Sequence, residues 1–185
     1  GILEPQLPHV RLNPLFTSIP ELDPCMGGTL LGASRTYIDP EQTAVIADVK
    51  TRLQRLQIEG LVCVGGDGTL NGMQPLSDLF PCVLAPKTID NDLNGTEFTI
   101  GFYTAVTTAV EALDKLHTTA ESHHRIMVVE VMGRNAGWIA LFAGLGGDAD
   151  VILLPEIPFD LNKVGTYLND LYHSRKKRSE EHTSE

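Results

Sequence analysis

Leu61–Val64 is a short apolar run with two β-branched residues, and it passes at once into Gly65-Gly66-Asp67-Gly68-Thr69. That combination suits a buried parallel strand feeding a tight turn. Similar units recur on both sides of it. Asp39 followed by Pro40 signals a helix start, and Val45, Ile46, Val49, Leu53 and Leu56 recur at helical spacing before Gly60. Cys82–Ala85 and Ile126–Val131 read as further strands. Between them Phe102, Ala105, Val106, Ala109, Val110, Leu113 and Leu116 mark one face of a long helix. Val151–Leu154 reads as the last strand, with helices at Gly137–Gly144 and Leu161–Tyr172 on either side of it. The alternation predicts an α/β fold, an open parallel sheet with helices on both faces, undivided by any repeat or linker.

In such sheets ligands bind where loops leave the carboxyl ends of the strands. The three most unusual segments fall there: Gly65–Thr69, Pro86–Asp92 and Met132–Asn135. A net charge of −10 argues against nucleic acid or an anionic membrane as partner. A phosphate ligand would instead be held by a few local cations and backbone amides. The longest apolar runs, such as Val151–Pro155, are far shorter than the roughly 20 residues needed to span a bilayer. Cys25, Cys63 and Cys82 are odd in number and lack metal-ligand spacing, so they read as reduced core cysteines of a cytoplasmic protein.

Small residues in Gly65–Thr69 would let backbone amides approach a phosphate, with a helix N-terminus favouring its charge. Asp67 would repel such a ligand unless a cation lies between them, which suggests a Mg²⁺ ligand. The alternative is a glycine turn with an Asp helix cap. Pro86–Asp92, PKTIDND, gathers the carboxylates Asp90 and Asp92 with Lys87 and Thr88 in one short segment. Neighbouring carboxylates raise each other's pKa unless a metal or a donor separates their duties, so one can act as a base while the other supports the site. Asp-Asn-Asp is also turn chemistry, and that reading stands beside the first.

In order and spacing, GGTLLGASR (Gly27–Arg35), GGDGT (Gly65–Thr69), PKTIDND (Pro86–Asp92), TIGFYTAV (Thr99–Val106) and VVEVMGRNAGW (Val128–Trp138) resemble the 6-phosphofructokinase family over roughly residues 25–175. Diacylglycerol and NAD kinases share the first glycine loop but lack TIDND and MGR. The resemblance implies a Rossmann-like fold and a kinase that phosphorylates fructose 6-phosphate. Asp90 would be the general base for the sugar 1-hydroxyl, Asp67 would hold Mg²⁺, and Asp92 would support the site. Thr88 would contact the sugar or the transferred phosphate, Arg35 the γ-phosphate, and Arg134 the charge building on the transferring group. Gly66, Gly68, Thr69 and Lys87 would serve the phosphoryl donor, while Met132 and Gly133 would line the sugar pocket. Arg125 falls where the family supplies an arginine across a subunit interface to the sugar 6-phosphate, which implies a homodimer or homotetramer. Its alternative is a surface cation beside His123 and His124. Trp138 and Phe142 read as core, and His117, His123 and His124 receive no role.

Gly68, after GGD, resembles the ATP users of the family, because a carboxylate there would clash with the α-phosphate. Lys87, before TIDND, resembles the pyrophosphate users. ATP is the favoured donor, pyrophosphate the alternative, and a non-catalytic subunit that binds sugar phosphate or nucleotide the third reading. The family also has a first strand with a second glycine loop ahead of Gly27, and a further sugar-phosphate domain after Leu171. Residues 1–177 therefore read as one partial domain, incomplete at both ends and inactive by itself. Gly1 and the five prolines of the first 24 residues suggest an interior cut. Residues 178–185, RSEEHTSE, read as an appended, disordered, non-native tail resembling a translated sequencing adapter.

Overall fold

In the computed structural model of the chain, residues 3, 25, 27–29, 32 and 37–182 are described, from 175 onward as backbone alone. Arg35 lies outside the described residues. The chain forms two compact units, one from Gly1–Cys63 with Gly68–Leu84, the other from Val64–Asp67 with Ala85–Glu185.

The first unit is built on helix α1, Thr43–Arg55, which buries Val49 and Leu53. Asp39 does not begin this helix. Its carboxylate accepts the Glu41 N–H and its carbonyl the Gln42 N–H, making a turn ahead of it. Nor does α1 run to Gly60. It stops at Arg55 because Gln57 takes a left-handed φ of +59°. The Ile58 N–H then returns to the Leu53 carbonyl and the Gln57 N–H to that of Gln54, the paired bonds of a Schellman cap. Gly60 does something else: a Cβ there would sit 3.2 Å from the Pro81 carbonyl oxygen, which accepts the Leu61 N–H. The core joins Ile38, Val49, Leu53, Leu76 and Phe80, with Ile46, Ile58, Leu61 and Met73 packed against them. Leu76 comes from α2, Asp67–Ser77.

Three strands form one sheet in the order β1-β2-β3: Leu61–Gly65, Cys82–Thr88 and Ile100–Gly101. β2 and β3 pair in parallel, Lys87 with Ile100 and Thr88 with Gly101. β2 is longer than Cys82–Ala85, and it carries Lys87 and Thr88 on the strand instead of the loop. Ile126–Val131 and Val151–Leu154 are not strands. An apolar run encodes burial, but a strand exists only where a neighbour takes up its backbone hydrogen bonds. No ladder partner serves either run among the described residues, and Val128 is 89% exposed.

In the second unit α3, Phe102–His123, packs along α4, Trp138–Gly146. Glycine makes the contact close: a Cβ on Gly147 would lie 2.7 Å from Leu113 Cδ1, and one on Gly146 3.2 Å from Val110 Cγ2. His117, unassigned by sequence, meets the Gly147 carbonyl through Nε2 at 2.6 Å. Phe102 is fully buried and meets Phe142 edge-on at 5.4 Å. Helix α5 spans Leu161–His182 and so continues past Tyr172 into residues 178–182, where the sequence suggested a disordered tail. Arg, Lys and Glu are strong helix formers, and propagation costs little once a helix exists.

Cys63 is buried in β1, and its thiol pKa is raised first by that burial and then by the neighbouring Cys82. The neutral thiol therefore supports folding in full below the ordinary thiol pKa, and that support is lost as pH rises through the raised value. Thermal melts from neutral to alkaline pH should show a smaller alkaline fall for Cys63→Ala than for the parent chain. Equal falls would contradict the assignment.

Candidate active site

The segment from the end of β2 to the start of β3 is held shut by its own side chains. Asn91 adopts a left-handed φ of +53°, which asparagine tolerates better than most residues. Its Nδ2 donates to the Glu97 carbonyl at 3.1 Å, and its Oδ1 accepts the Thr99 N–H at 2.8 Å. Thr99 is buried and its hydroxyl donates to the Thr88 carbonyl at 2.7 Å. The Thr88 hydroxyl in turn accepts the Asp90 N–H at 3.2 Å. The Asp90 backbone is thus fixed from one side, while its carboxylate oxygen Oδ1 is buried with no hydrogen-bond partner in the structure. Leaving a buried acceptor unpaired costs roughly 1–3 kcal/mol, more when it is charged. Asp92, beyond Asn91, is exposed. The two carboxylates of TIDND therefore face different surroundings.

Gly66 approaches the same strand end. A Cβ there would lie 3.3 Å from Thr88 Cβ and 3.7 Å from the Lys87 carbonyl oxygen, so a larger residue would press on the Thr88 side chain. Asp67, Gly68 and Thr69 open α2 and are exposed. With Asp67 in the first helical turn, its carboxylate lies where the helix dipole favours negative charge. Among the described residues no cluster of three or more His, Cys, Asp or Glu forms a metal cage. A Mg²⁺ ion that keeps several waters and binds through one or two carboxylates plus ligand phosphates asks for no such cage, and an exposed Asp67 fits that donor set.

Gly133 has a φ of +127°, and a Cβ on it would overlap the Ala136 carbonyl oxygen. Only glycine fits this turn. Its far side is tied down by Glu156, whose carboxylate accepts the Gly137 N–H at 2.7 Å, just ahead of α4. Arg134 and Met132 flank Gly133 and are exposed. Arg125 leaves α3 through His124, a left-handed cap with φ of +50°, and its N–H bonds back to the Ala120 carbonyl. That gives His124 a conformational role. The charged ends of Lys87, Arg125 and Arg134 form no ion pair among the described residues, where the salt bridge is Arg52 to Asp48.

The structure therefore joins Thr88, Asp90 and Gly66 directly, places Asp92 on the adjoining loop, and leaves Met132, Arg134 and Arg125 as exposed groups without a bond to Asp90. Trp138 departs from its core reading: it is 42% exposed and, with Asn91–Glu97, lines a cavity of about 360 Å³. Sequence reading gave Asn91 only the turn reading of Asp-Asn-Asp, left Thr99 without a role inside TIGFYTAV, and passed over Glu156. Asn91 carried a signal, an asparagine between two aspartates after a strand, whereas nothing local marks Thr99 or Glu156.

The profile of a family described as phosphofructokinase matches residues 23–183. Among curated proteins, the chain is 52% identical over 139 residues to an ATP-dependent 6-phosphofructokinase of Corynebacterium efficiens, covering 75% of this chain and 40% of that protein. It is also 52% identical over 151 residues to a pyrophosphate–fructose 6-phosphate 1-phosphotransferase of Streptomyces coelicolor, covering 80% and 44%. Among solved structures, Pichia pastoris phosphofructokinase in the T-state matches with a TM-score of 0.67 at 30% identity, over 80% of this chain and 17% of that one. A pyrophosphate-dependent phosphofructokinase from Nitrosospira multiformis matches with a TM-score of 0.61 at 25% identity, over 70% and 37%. The chain thus spans less than half the length of these relatives.

Replacing Gly133 by alanine should open the turn without disturbing α3. Hydrogen exchange of the Gly137 amide is then expected to accelerate while the α3 amides keep their rates, and an unchanged Gly137 rate would refute the steric argument.

Proposed function

The chain belongs to the phosphofructokinase family, and from that premise we propose that the whole protein transfers the γ-phosphoryl group of ATP to the 1-hydroxyl of fructose 6-phosphate. The observation that carries this reading is the buried, unpartnered Oδ1 of Asp90. A general base must keep an acceptor ready for a proton that arrives with the substrate. Three nearby donors are committed elsewhere: the Asp90 N–H to the Thr88 hydroxyl, the Thr99 hydroxyl to the Thr88 carbonyl, and the Thr99 N–H to Asn91.

In the proposed step the 1-hydroxyl proton passes to Asp90 as its oxygen bonds to the γ-phosphorus. The bond from that phosphorus to the bridging oxygen breaks, and ADP leaves. Phosphoryl transfer depends mainly on alignment and on stabilising spread charge. Arg134 supplies charge to the transferring group, Arg35 to the γ-phosphate and Lys87 to the donor. Gly66, Gly68 and Thr69 offer backbone amides to the donor phosphates. Thr88 orients the acceptor beside Asp90, Asp92 supports the site, and Met132 and Gly133 bound the sugar. Asp67 would hold Mg²⁺, which when bound neutralises phosphate charge and holds the phosphates in place. Arg125 reaches the sugar 6-phosphate of a neighbouring subunit, in a homodimer or homotetramer of the cytoplasm. No helix of the described residues is long and apolar enough to cross a membrane.

Pyrophosphate is the second reading for the donor, favoured by Lys87 at the end of β2 and by the Streptomyces coelicolor relative. Gly68 favours ATP, since a residue without a side chain leaves room for the α-phosphate and its nucleoside.

In the full-length protein Asp90→Asn should keep substrate binding and lower kcat by about 10²- to 10⁴-fold, read by coupled assay of fructose 1,6-bisphosphate formation. A variant as active as the parent would remove Asp90 from the mechanism. With the parent protein, ATP should support turnover where pyrophosphate alone does not, and the reverse result would reassign the donor.

A further inference from the structure

Asn91 has no part in the proposed chemistry, yet it carries the strained backbone of the loop and two of its long-range hydrogen bonds. We infer that Asn91, together with Thr99, is a positioning residue that sets the orientation of the Asp90 carboxylate, and this rests on the reading of Asp90 as the base. Three observations converge on it. The left-handed turn at Asn91 redirects the chain between Asp90 and Asp92, so that an Asp90 oxygen is buried while Asp92 is exposed. The Asn91 side chain is already engaged at both ends, by the Glu97 carbonyl and the Thr99 N–H, so its influence on the reaction passes through the backbone. Thr99 closes the circuit by donating to the Thr88 carbonyl, and the Thr88 hydroxyl accepts the Asp90 N–H.

The chemistry of asparagine suits this place. Glycine would accept the positive φ but make neither bond. Aspartate would keep the acceptor for Thr99, lose the donor to Glu97, and add a third carboxylate between Asp90 and Asp92. Alanine would lose both bonds and strain the backbone as well. A shift of about 1 Å in a reacting group can cost on the order of 10²-fold in rate, so a loosened turn should register in kcat.

The test is a double-mutant cycle in the full-length protein with fructose 6-phosphate and ATP. Asn91→Gly is expected to lower kcat by about 10- to 100-fold with little change in KM for fructose 6-phosphate. In an Asp90→Ser background the same substitution should cost nothing further, because the group it positions is gone. Thr99→Val, which keeps the backbone N–H and removes the hydroxyl, should behave alike and serves if Asn91→Gly does not fold. An unchanged kcat in Asn91→Gly overturns the inference while leaving Asp90 as the base. An equal fold-loss with and without Asp90 also overturns it, since that marks a general structural defect. Full activity in Asp90→Ser alone overturns the underlying reading, and the inference with it.

Discussion

A parallel pair of strands cannot be closed by a tight turn, because the chain must travel back before it can pair again. β2 and β3 meet this constraint without a helix between them. The intervening residues, Ile89–Thr99, are folded on themselves by the Asn91 amide and the Thr99 hydroxyl, which take over bonds that backbone groups supply elsewhere. Lys87 can then face Ile100, and Thr88 face Gly101, where α3 begins. Thr88, whose carbonyl accepts the Thr99 hydroxyl, also takes the Asp90 N–H on its own hydroxyl and so fixes the Asp90 backbone from within the same loop. Strand register and the aim of the candidate base thus depend on one small hydrogen-bonded circuit.

The unpaired Asp90 oxygen gains its meaning from this circuit. Polar groups that are buried are nearly always bonded, so an orphan carboxylate oxygen stands out. The Asp90 N–H, the Thr99 N–H and the Thr99 hydroxyl are each committed to other acceptors. Such stored desolvation is a common property of sites that wait for a ligand. Glycine does complementary work nearby: Gly66 lets its loop lie against Thr88, and Gly133 makes a turn closed to any side chain.

Much of this was legible in the sequence, for identifiable reasons. Leu61–Val64 with its glycines, and Phe102–Leu116 with its helical spacing, gave strand and helix because period and punctuation agreed. The residues of PKTIDND could be singled out because charge of that density after an apolar run is unusual. The two residues of β3 are too few to show any period, and Thr99 just ahead of them is held by Asn91, eight residues away. Gly60 misled as a helix end because glycine marks close approach as often as a cap, and Gln57 took the left-handed position instead. Ile126–Val131 and Val151–Leu154 look like strands by composition, but composition cannot supply the neighbour that a ladder needs. Glu156 is 19 residues from the Gly137 amide it caps, beyond the reach of local pattern.

If Asp90 is the base, its Oδ1 is kept for the hydroxyl that attacks phosphorus. A crystal structure of the full-length protein with fructose 6-phosphate and a non-hydrolysable ATP analogue tests it most directly. The sugar 1-hydroxyl is expected within about 2.6–3.2 Å of Asp90 Oδ1, with Asn91 still bonded to Thr99. A 1-hydroxyl facing another acceptor, with Oδ1 bonded to a protein donor, would contradict it.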